Sequence, residues 1–145
     1  MEKVGKAILN YSSFAGNDVI RFFELTLFCF LTGNTDMHLK NFSLLTDEDV
    51  VLSPAYDLLS TALLLPEDKE ELALPLNGKK NNLRKNDFVK FAEVLGINKK
   101  VVERILIKMA SVQDKFNSWI DNSFLTSETK KSYKDLISQR IIRIL

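Results

Sequence analysis

Apolar residues fill most positions between 19 and 31, which is the most apolar segment of the chain. Asn17 or Asp18 comes just before this segment and can cap a helix, and Gly33 follows it as a helix stop. The pattern predicts a helix that runs to about Thr32. Because such a helix is apolar on nearly every side, we expect it to be buried at the centre of the fold.

Short apolar runs at 42–45 and 50–52 flank the polar segment 46–49, which predicts a small β-hairpin with a polar tip. Residues 58–65 favour a short helix ended by a proline. Residues 71–76 alternate weakly and favour a further strand, which a turn at Asn77-Gly78 would end.

Helical periodicity dominates the rest of the chain. Asn86 is predicted to cap a helix over 87–95, and Asn98 is predicted to start a longer helix. Thr126 is predicted to cap the last helix. The expected inner faces of these last two helices comprise Val102, Ile105, Leu106, Met109, Val112, Phe116 and Trp119, and then Tyr133, Leu136, Ile137, Ile141 and Ile144.

The predicted fold class is mostly α (α+β), with residues 1–145 forming one domain or one lobe of a larger protein. Hydrophobic residues make up 46% of the chain, which is enough for a core. The formal net charge is only +1, so no direct nucleic-acid partner is expected.

Cys29 is the only cysteine, which excludes an internal disulfide and predicts a buried, inert thiol in a reducing, cytoplasmic protein. The apolar segment at 19–31 contains Arg21 and Glu24 and is too short to span a bilayer, so no membrane partner is expected.

The candidate chemistry lies where the central helix ends. Asp36 is followed five positions later by Asn41, and Asp57 comes directly after the predicted hairpin. Protein kinases use an Asp, an Asn five residues on and a later Asp for proton transfer and magnesium binding. Because a hairpin returns the chain to near its start, these three side chains are expected to face one cleft.

Each of these residues also has an ordinary structural explanation. Asp36 alone is more often a loop residue that hydrogen-bonds nearby amides, and His38 alone is more often a hydrogen-bonding residue than a catalyst. Tyr56 and Leu58 are most simply core anchors. The order and spacing of the polar residues together therefore carry the hypothesis.

The segment Gly33-Asn34-Thr35-Asp36-x-His38-x-Lys40-Asn41-Phe42-Ser43, with Ser53-Pro54-x-Tyr56-Asp57-Leu58-Leu59-Ser60, strongly resembles the C-terminal lobe of HipA-type toxin kinases. The resemblance implies that Asp36 is the catalytic base and that Asn41 and Asp57 bind Mg²⁺ for ATP. His38 and Lys40 match motif positions of the family and are counted as further catalytic candidates.

The resemblance also implies partners. Members of the family phosphorylate serine or threonine of a protein substrate, with aminoacyl-tRNA synthetases among the known kinds of target. They are held in check by a small DNA-binding antitoxin.

A kinase also needs a glycine-rich lid and a strand-borne lysine, and Gly5 and Gly16 form no such lid. The chain resembles about the last third of such a kinase, without its N-terminal nucleotide lobe, so we expect it to be inactive by itself. An apolar patch for that lobe is expected at Ile8, Leu9, Tyr11 and Phe14. Two alternatives stay open, namely a non-catalytic module that binds an antitoxin or another partner, and a small-molecule phosphotransferase of related fold.

Overall fold

The computed structural model describes residues 1–145 as six helices and one two-stranded hairpin. The predicted mostly helical fold with a small hairpin is confirmed. The elements in chain order are α1 Glu2–Tyr11, α2 Ala15–Thr32, β1 Leu44–Thr46, β2 Val50–Leu52, α3 Lys85–Val94, α4 Lys99–Ser111, α5 Gln113–Asp121 and α6 Ser127–Ile144, with single 3₁₀ turns at Leu39–Asn41 and Thr61–Leu63.

Helix α2 lies at the centre, as its apolar pattern predicts, and packs against α1, α6 and β2. Phe22 and Phe30 on α2 are fully buried and meet the rings of Phe91 and Phe88 on α3, at centroid distances of 5.9 and 5.1 Å. These ring contacts join the two helices through an aromatic layer, which is worth more than its buried area alone.

The beginning of α2 differs from the prediction. The helix starts at Ala15, so Asp18 lies inside its first turn and is buried. The Asp18 carboxylate accepts hydrogen bonds from the Leu52 backbone N–H (2.6 Å), the Ser12 hydroxyl (2.7 Å) and Arg21 (3.1 Å). A residue that looked like a helix cap therefore links α2 to the hairpin.

Helix α1 was not predicted, because its apolar residues are few and spaced among charges. Gly5 lies against Leu95, where a β-carbon would come within 2.2 Å of the end of that side chain, so any larger residue would require Leu95 to shift. The expected apolar patch is only half present. Ile8 is buried and Leu9 packs against the core, whereas Tyr11 and Phe14 are 68% and 51% exposed.

The hairpin pairs β1 with β2 in antiparallel register, with Leu44 opposite Leu52 and Thr46 opposite Val50. The predicted strand at 71–76 is wrong, since only an isolated bridge joins Leu76 to Lys79. Between those two residues the predicted Asn77-Gly78 turn forms, and both of its residues have positive φ (50° and 76°), as a type I′ turn requires.

The predicted helix at 58–65 is also wrong, because only the turn Thr61–Leu63 is helical and most of the surrounding leucines are exposed. Helix α3 begins after Arg84 and not after Asn86. Its N-terminus is held by Asp87, whose carboxylate accepts the Arg84 backbone N–H at 3.0 Å. The acidic residue in the first turn thus does the capping from inside the helix.

The long helix predicted from Asn98 is two helices. Asn98 caps α4 as expected, but the backbone breaks at Val112 (φ −93°, ψ 11°) before α5. On α5, Phe116 is buried, whereas Trp119 is 68% exposed and meets the Phe116 ring edge-on at a centroid distance of 6.4 Å. The prediction that Trp119 faces the core is therefore wrong.

Helix α6 closes the core from the other end of the chain. Thr126 caps it as predicted by accepting the Thr129 N–H, and Ile137, Ile141 and Ile144 are buried. The Arg140 guanidinium lies over the Phe30 ring, 5.1 Å from its centroid, and donates to the Phe30 carbonyl. Since α2 ends close to Phe30, α6 reaches the position where the candidate loop begins.

Burial raises the pKa of the Cys29 thiol to about 12, which agrees with the predicted inert thiol. None of the helices has the length and apolar character needed to cross a membrane.

Candidate functional site

Gly33 sets the direction in which the chain leaves α2. It adopts φ 77°, in the left-handed region, and a β-carbon there would meet Leu136, Ser60 and Ala62 at 2.8–3.1 Å. Its carbonyl accepts the Ala62 N–H at 3.0 Å. The start of the loop is therefore enclosed by α6 on one side and by the segment after Asp57 on the other, and glycine fits there for both reasons.

Asn34 is the next residue, and it is 2% exposed. Its side-chain oxygen accepts the Asp36 backbone N–H at 3.2 Å, and its side-chain nitrogen donates to the Asp57 backbone carbonyl at 3.2 Å. One buried amide thus joins the two candidate carboxylate residues through their backbones.

Asn41 and Asp57 are in direct contact. The Asn41 amide Nδ2 donates to Asp57 Oδ2 at 2.5 Å, although the two residues are 16 positions apart in sequence. Asn41 is 5% exposed, and its Oδ1 is buried without a hydrogen-bond partner. An oxygen left unpaired in this way is costly unless a ligand or water completes it.

Asp57 has φ 55°, which is uncommon for a residue other than glycine. Both its backbone carbonyl and its carboxylate accept hydrogen bonds, from Asn34 and Asn41 respectively. Positive φ at a residue other than glycine persists where surrounding contacts impose it, and such positions cluster at functional sites.

The three other predicted residues lie on the turn between Asn34 and Asn41. Asp36 is exposed and its carboxylate makes no hydrogen bond, while its carbonyl accepts the His38 N–H at 2.8 Å. His38 Nδ1 accepts the Lys40 N–H at 3.3 Å and so caps the 3₁₀ turn, and the Lys40 side chain is exposed. His38 thus has a structural contact, and the carboxylate and ammonium groups face solvent.

Tyr56 does not anchor the core as predicted, since it is 41% exposed, and Leu58 is 45% exposed. The Tyr56 hydroxyl instead donates to the Lys40 carbonyl at 2.8 Å and lies 2.8 Å from the Ser43 hydroxyl. The Tyr56–Lys40 contact is next to the Asp57–Asn41 contact along both segments. Two neighbouring hydrogen bonds therefore connect the turn at Lys40 and Asn41 to Tyr56 and Asp57, which follow the hairpin.

Sequence reasoning assigned no role to Asn34 and only a core role to Tyr56, although both fall within the quoted motif. The position of Asn34 could have indicated its role. A polar side chain directly after a helix-ending glycine has few hydrogen-bond partners other than the backbone of the loop that follows. No such signal exists for Tyr56, whose partner is a backbone carbonyl that the sequence cannot identify.

The donor set fits a hard divalent cation. Asn41 Oδ1 is an unpaired buried oxygen, and the carboxylate that contacts the same amide supplies negative charge. Mg²⁺ prefers oxygen ligands and binds through one or two protein groups while keeping waters or phosphates. No cluster of three or more His, Cys, Asp or Glu side chains is placed to hold a metal, so a cation here would depend on other oxygens.

Comparison with known families decides the family. The family described as HipA-like C-terminal domain matches residues 1–116. The chain belongs to this family. In this HipA-like domain the match includes α1, α2, the hairpin and all five candidate site residues, and it extends through α4.

Two curated relatives are longer proteins. The HipA-like domain is 28% identical over 142 residues to a Haemophilus influenzae protein named "Putative kinase", covering 86% of this chain and 41% of that protein. It is 39% identical over 88 residues to the Sinorhizobium fredii protein named "Putative kinase Y4dM", covering 59% of this chain and 22% of that protein. The chain therefore spans less than half the length of these relatives.

A solved structure shows the same fold. The HipA chain from Shewanella oneidensis, determined with HipB and its operator DNA, superimposes with a TM-score of 0.67 at 21% identity. The similarity covers 89% of this chain and 31% of that one. At this identity the likeness shows the fold of the HipA C-terminal region.

Proposed function

We propose that this HipA-like domain is the catalytic-lobe portion of a serine/threonine kinase that transfers the γ-phosphate of ATP to a hydroxyl of a protein. The contact between Asn41 and Asp57, with the unpaired Asn41 oxygen beside it, is the observation that carries the proposal. Most buried polar groups in proteins are paired, so an unpaired buried oxygen next to a carboxylate supports a site that a bound ion or water completes.

Asp36 is proposed as the base. Its carboxylate has no hydrogen bond within the chain, so both oxygens are available to a hydroxyl group, while its backbone is held on both sides by Asn34 and His38. Asp36 would orient the acceptor hydroxyl and take its proton as the oxygen attacks the γ-phosphorus and the bond to the leaving diphosphate oxygen breaks.

Asn41 and Asp57 would hold Mg²⁺, which when bound neutralises charge on the phosphates. Lys40 adds an exposed ammonium one position before Asn41, where it can attract the anionic nucleotide. His38 keeps the turn closed through its Nδ1 and so serves the geometry of its neighbours. Positioning and charge stabilisation account for most of what proteins contribute to phosphoryl transfer.

In this proposal the glycine-rich lid and strand-borne lysine of a kinase come from protein outside residues 1–145. The longer relatives contain at least as much sequence again outside the matched region. A partner of the antitoxin kind is proposed from the HipA neighbour, whose structure contains HipB and operator DNA. The protein that receives the phosphate is proposed only as a class, one that presents a serine or threonine hydroxyl.

The test is phosphate transfer by a chimera. Residues 1–145 replace the matched segment of the Haemophilus influenzae relative, and transfer from radiolabelled ATP to protein is measured with Mg²⁺. The native relative serves as the positive control and the isolated chain as the negative one. We expect the chimera to be active and the isolated chain inactive, and Asp36→Asn to lower the chimera's rate by about a hundredfold or more.

Asp47→Asn, at the exposed hairpin tip, is the matched control and should leave the rate unchanged. An active native relative with an inactive chimera that still folds would argue for a docking module without catalysis. Transfer to small molecules but not to proteins would favour a phosphotransferase of another class.

A further inference from the structure

The Asn34 side chain bridges two residues that lie 21 positions apart. The amide orientation is unambiguous, because the Asp36 backbone N–H can only donate and the Asp57 carbonyl can only accept. Asn34 Oδ1 must therefore face Asp36 and Nδ2 must face Asp57. Both bonds form within a side chain that is almost fully buried.

The two bonds have different tasks. The bond to Asp36 closes a short turn between neighbouring residues, which side-chain oxygens of Asn and Asp commonly do. The bond to Asp57 is long-range, and it holds the carbonyl of a residue whose φ of 55° is strained. Strain of this kind costs about 1–3 kcal/mol and persists only where surrounding contacts impose it.

We infer that Asn34 is a positioning residue that fixes Asp57 in its left-handed conformation and aligns it with Asp36. This rests on the proposed function for the roles of Asp36 and Asp57, but the positioning itself is a property of the folded chain. The hydrogen bonds of the Asn34 side chain go to the backbones of Asp36 and Asp57 and not to their carboxylate groups, so it acts through the backbone of both residues.

Two substitutions separate the two tasks. Asn34→Asp keeps an oxygen for the Asp36 N–H but removes the donor to Asp57, and Asn34→Ala removes both. Asn117→Ala is the matched control, because Asn117 lies on α5, outside the loop, and its side-chain oxygen has no partner to lose. All variants are made in the 145-residue chain, with thermal unfolding used to verify that each one folds.

The first readouts need no metal. The sign of φ at Asp57 is obtained from its intraresidue HN–Hα NOE, which is strong at positive φ, read together with the three-bond H–N–Cα–H coupling. Hydrogen exchange measures the protection of the Asp36 amide. Asn34→Asp should retain Asp36 protection while Asp57 leaves the positive φ region. Asn34→Ala should lose both, with Asp36 exchange faster by about fivefold or more.

A further readout is the affinity for Mn²⁺, used as a probe for Mg²⁺ and followed by water-proton relaxation. Asn34→Ala should weaken binding by about fivefold or more relative to Asn117→Ala. An unchanged φ of Asp57 in both Asn34 variants overturns the inference. If the unsubstituted chain binds no Mn²⁺, the proposed metal site fails, while the φ measurement still decides the positioning role.

Discussion

The helical body and the loop cluster of this domain are held together in different ways. In the body, Phe22, Phe23, Phe30, Phe88 and Phe91 are fully buried and touch one another in pairs. In the loop cluster, which comprises residues 33–43 and 53–62, regular structure is limited to two single 3₁₀ turns. Side chains such as Asn34, Asn41 and Tyr56 make the connections there.

The difference implies that the helical body determines the stability of the domain and that the loop cluster determines the geometry of the candidate site. Burial of apolar side chains is non-directional and is the dominant favourable term in folding, so the body tolerates small shifts. Hydrogen bonds contribute about 0.5–1.5 kcal/mol each but depend strongly on distance and angle. Substitutions in the loop cluster should therefore change the free energy of unfolding little but change the positions of the candidate site residues more.

The largest expected effect comes from the body. Phe88→Ala removes a fully buried ring that meets Phe30, and it should lower the free energy of unfolding by about 3–5 kcal/mol. Urea denaturation measures this, with Phe124→Ala, a fully exposed aromatic, as the control expected to change little. Equal effects for the two substitutions would contradict an aromatic layer as the main source of stability.

An intermediate effect is expected where the two regions join. Asp18→Asn weakens the charge-assisted bonds from Leu52, Ser12 and Arg21 that connect α2 to the hairpin, and should lower the free energy of unfolding by about 1–3 kcal/mol. The matched control is Asp49→Asn in the exposed hairpin tip. A loss no larger than that of the control would mean that the hairpin is held by its apolar residues alone.

The same carboxylate predicts a pH dependence. Burial acts to raise the pKa of Asp18, but the hydrogen bonds from Leu52, Ser12 and Arg21 outweigh it and leave the pKa below the usual 3.8. A lowered pKa stabilises the folded state above the unfolded value and loses that contribution as the pH falls through the folded value. Unfolding free energies measured from pH 6 down to pH 2 should therefore fall below about pH 4, and less steeply in Asp18→Asn.

The smallest effect on stability is expected in the loop cluster. Tyr56→Phe removes the bond to the Lys40 carbonyl and the contact with Ser43, and because the ring is partly exposed the free energy of unfolding should fall by about 1 kcal/mol or less. The geometry should change more than the stability, and the side-chain amide signals of Asn41 should shift and broaden in NMR spectra. Unchanged Asn41 signals would show that the contact between Asn41 and Asp57 does not depend on the hydrogen bond between Tyr56 and Lys40.

The parts of the fold that follow local rules were predictable from the sequence. Helix α2 ends at Gly33 because glycine accepts the left-handed conformation there, and Asn98 and Thr126 cap helices because their side chains reach the first free N–H groups. The failures involve distant partners. Asp18 accepts a bond from Leu52, and the helix predicted from Asn98 breaks at Val112 although its apolar spacing continues past that residue.

For the candidate site too, the sequence did not indicate contacts between residues that are distant along the chain. The spacing of Asp36, Asn41 and Asp57 indicated a kinase-like loop, and the structure brings Asn41 and Asp57 into contact. The functional roles of all five residues stay predictions. What the spacing could not indicate was how the loop is held, because Asn34 and Tyr56 bond to backbone atoms whose positions exist only after folding.

The enclosure of Gly33 by α6 also has a consequence for the order of events during synthesis. Leu136 and Arg140 lie about a hundred residues after the end of α2, so at ribosomal rates the last helix emerges roughly 5–20 s after Gly33 does. Until α6 has been made, the loop cluster lacks the helix that packs against Gly33, even if α2 has already formed. The nascent chain would therefore complete the enclosure of its candidate site only after α6 has been made, which delays any activity of the site until that helix has folded.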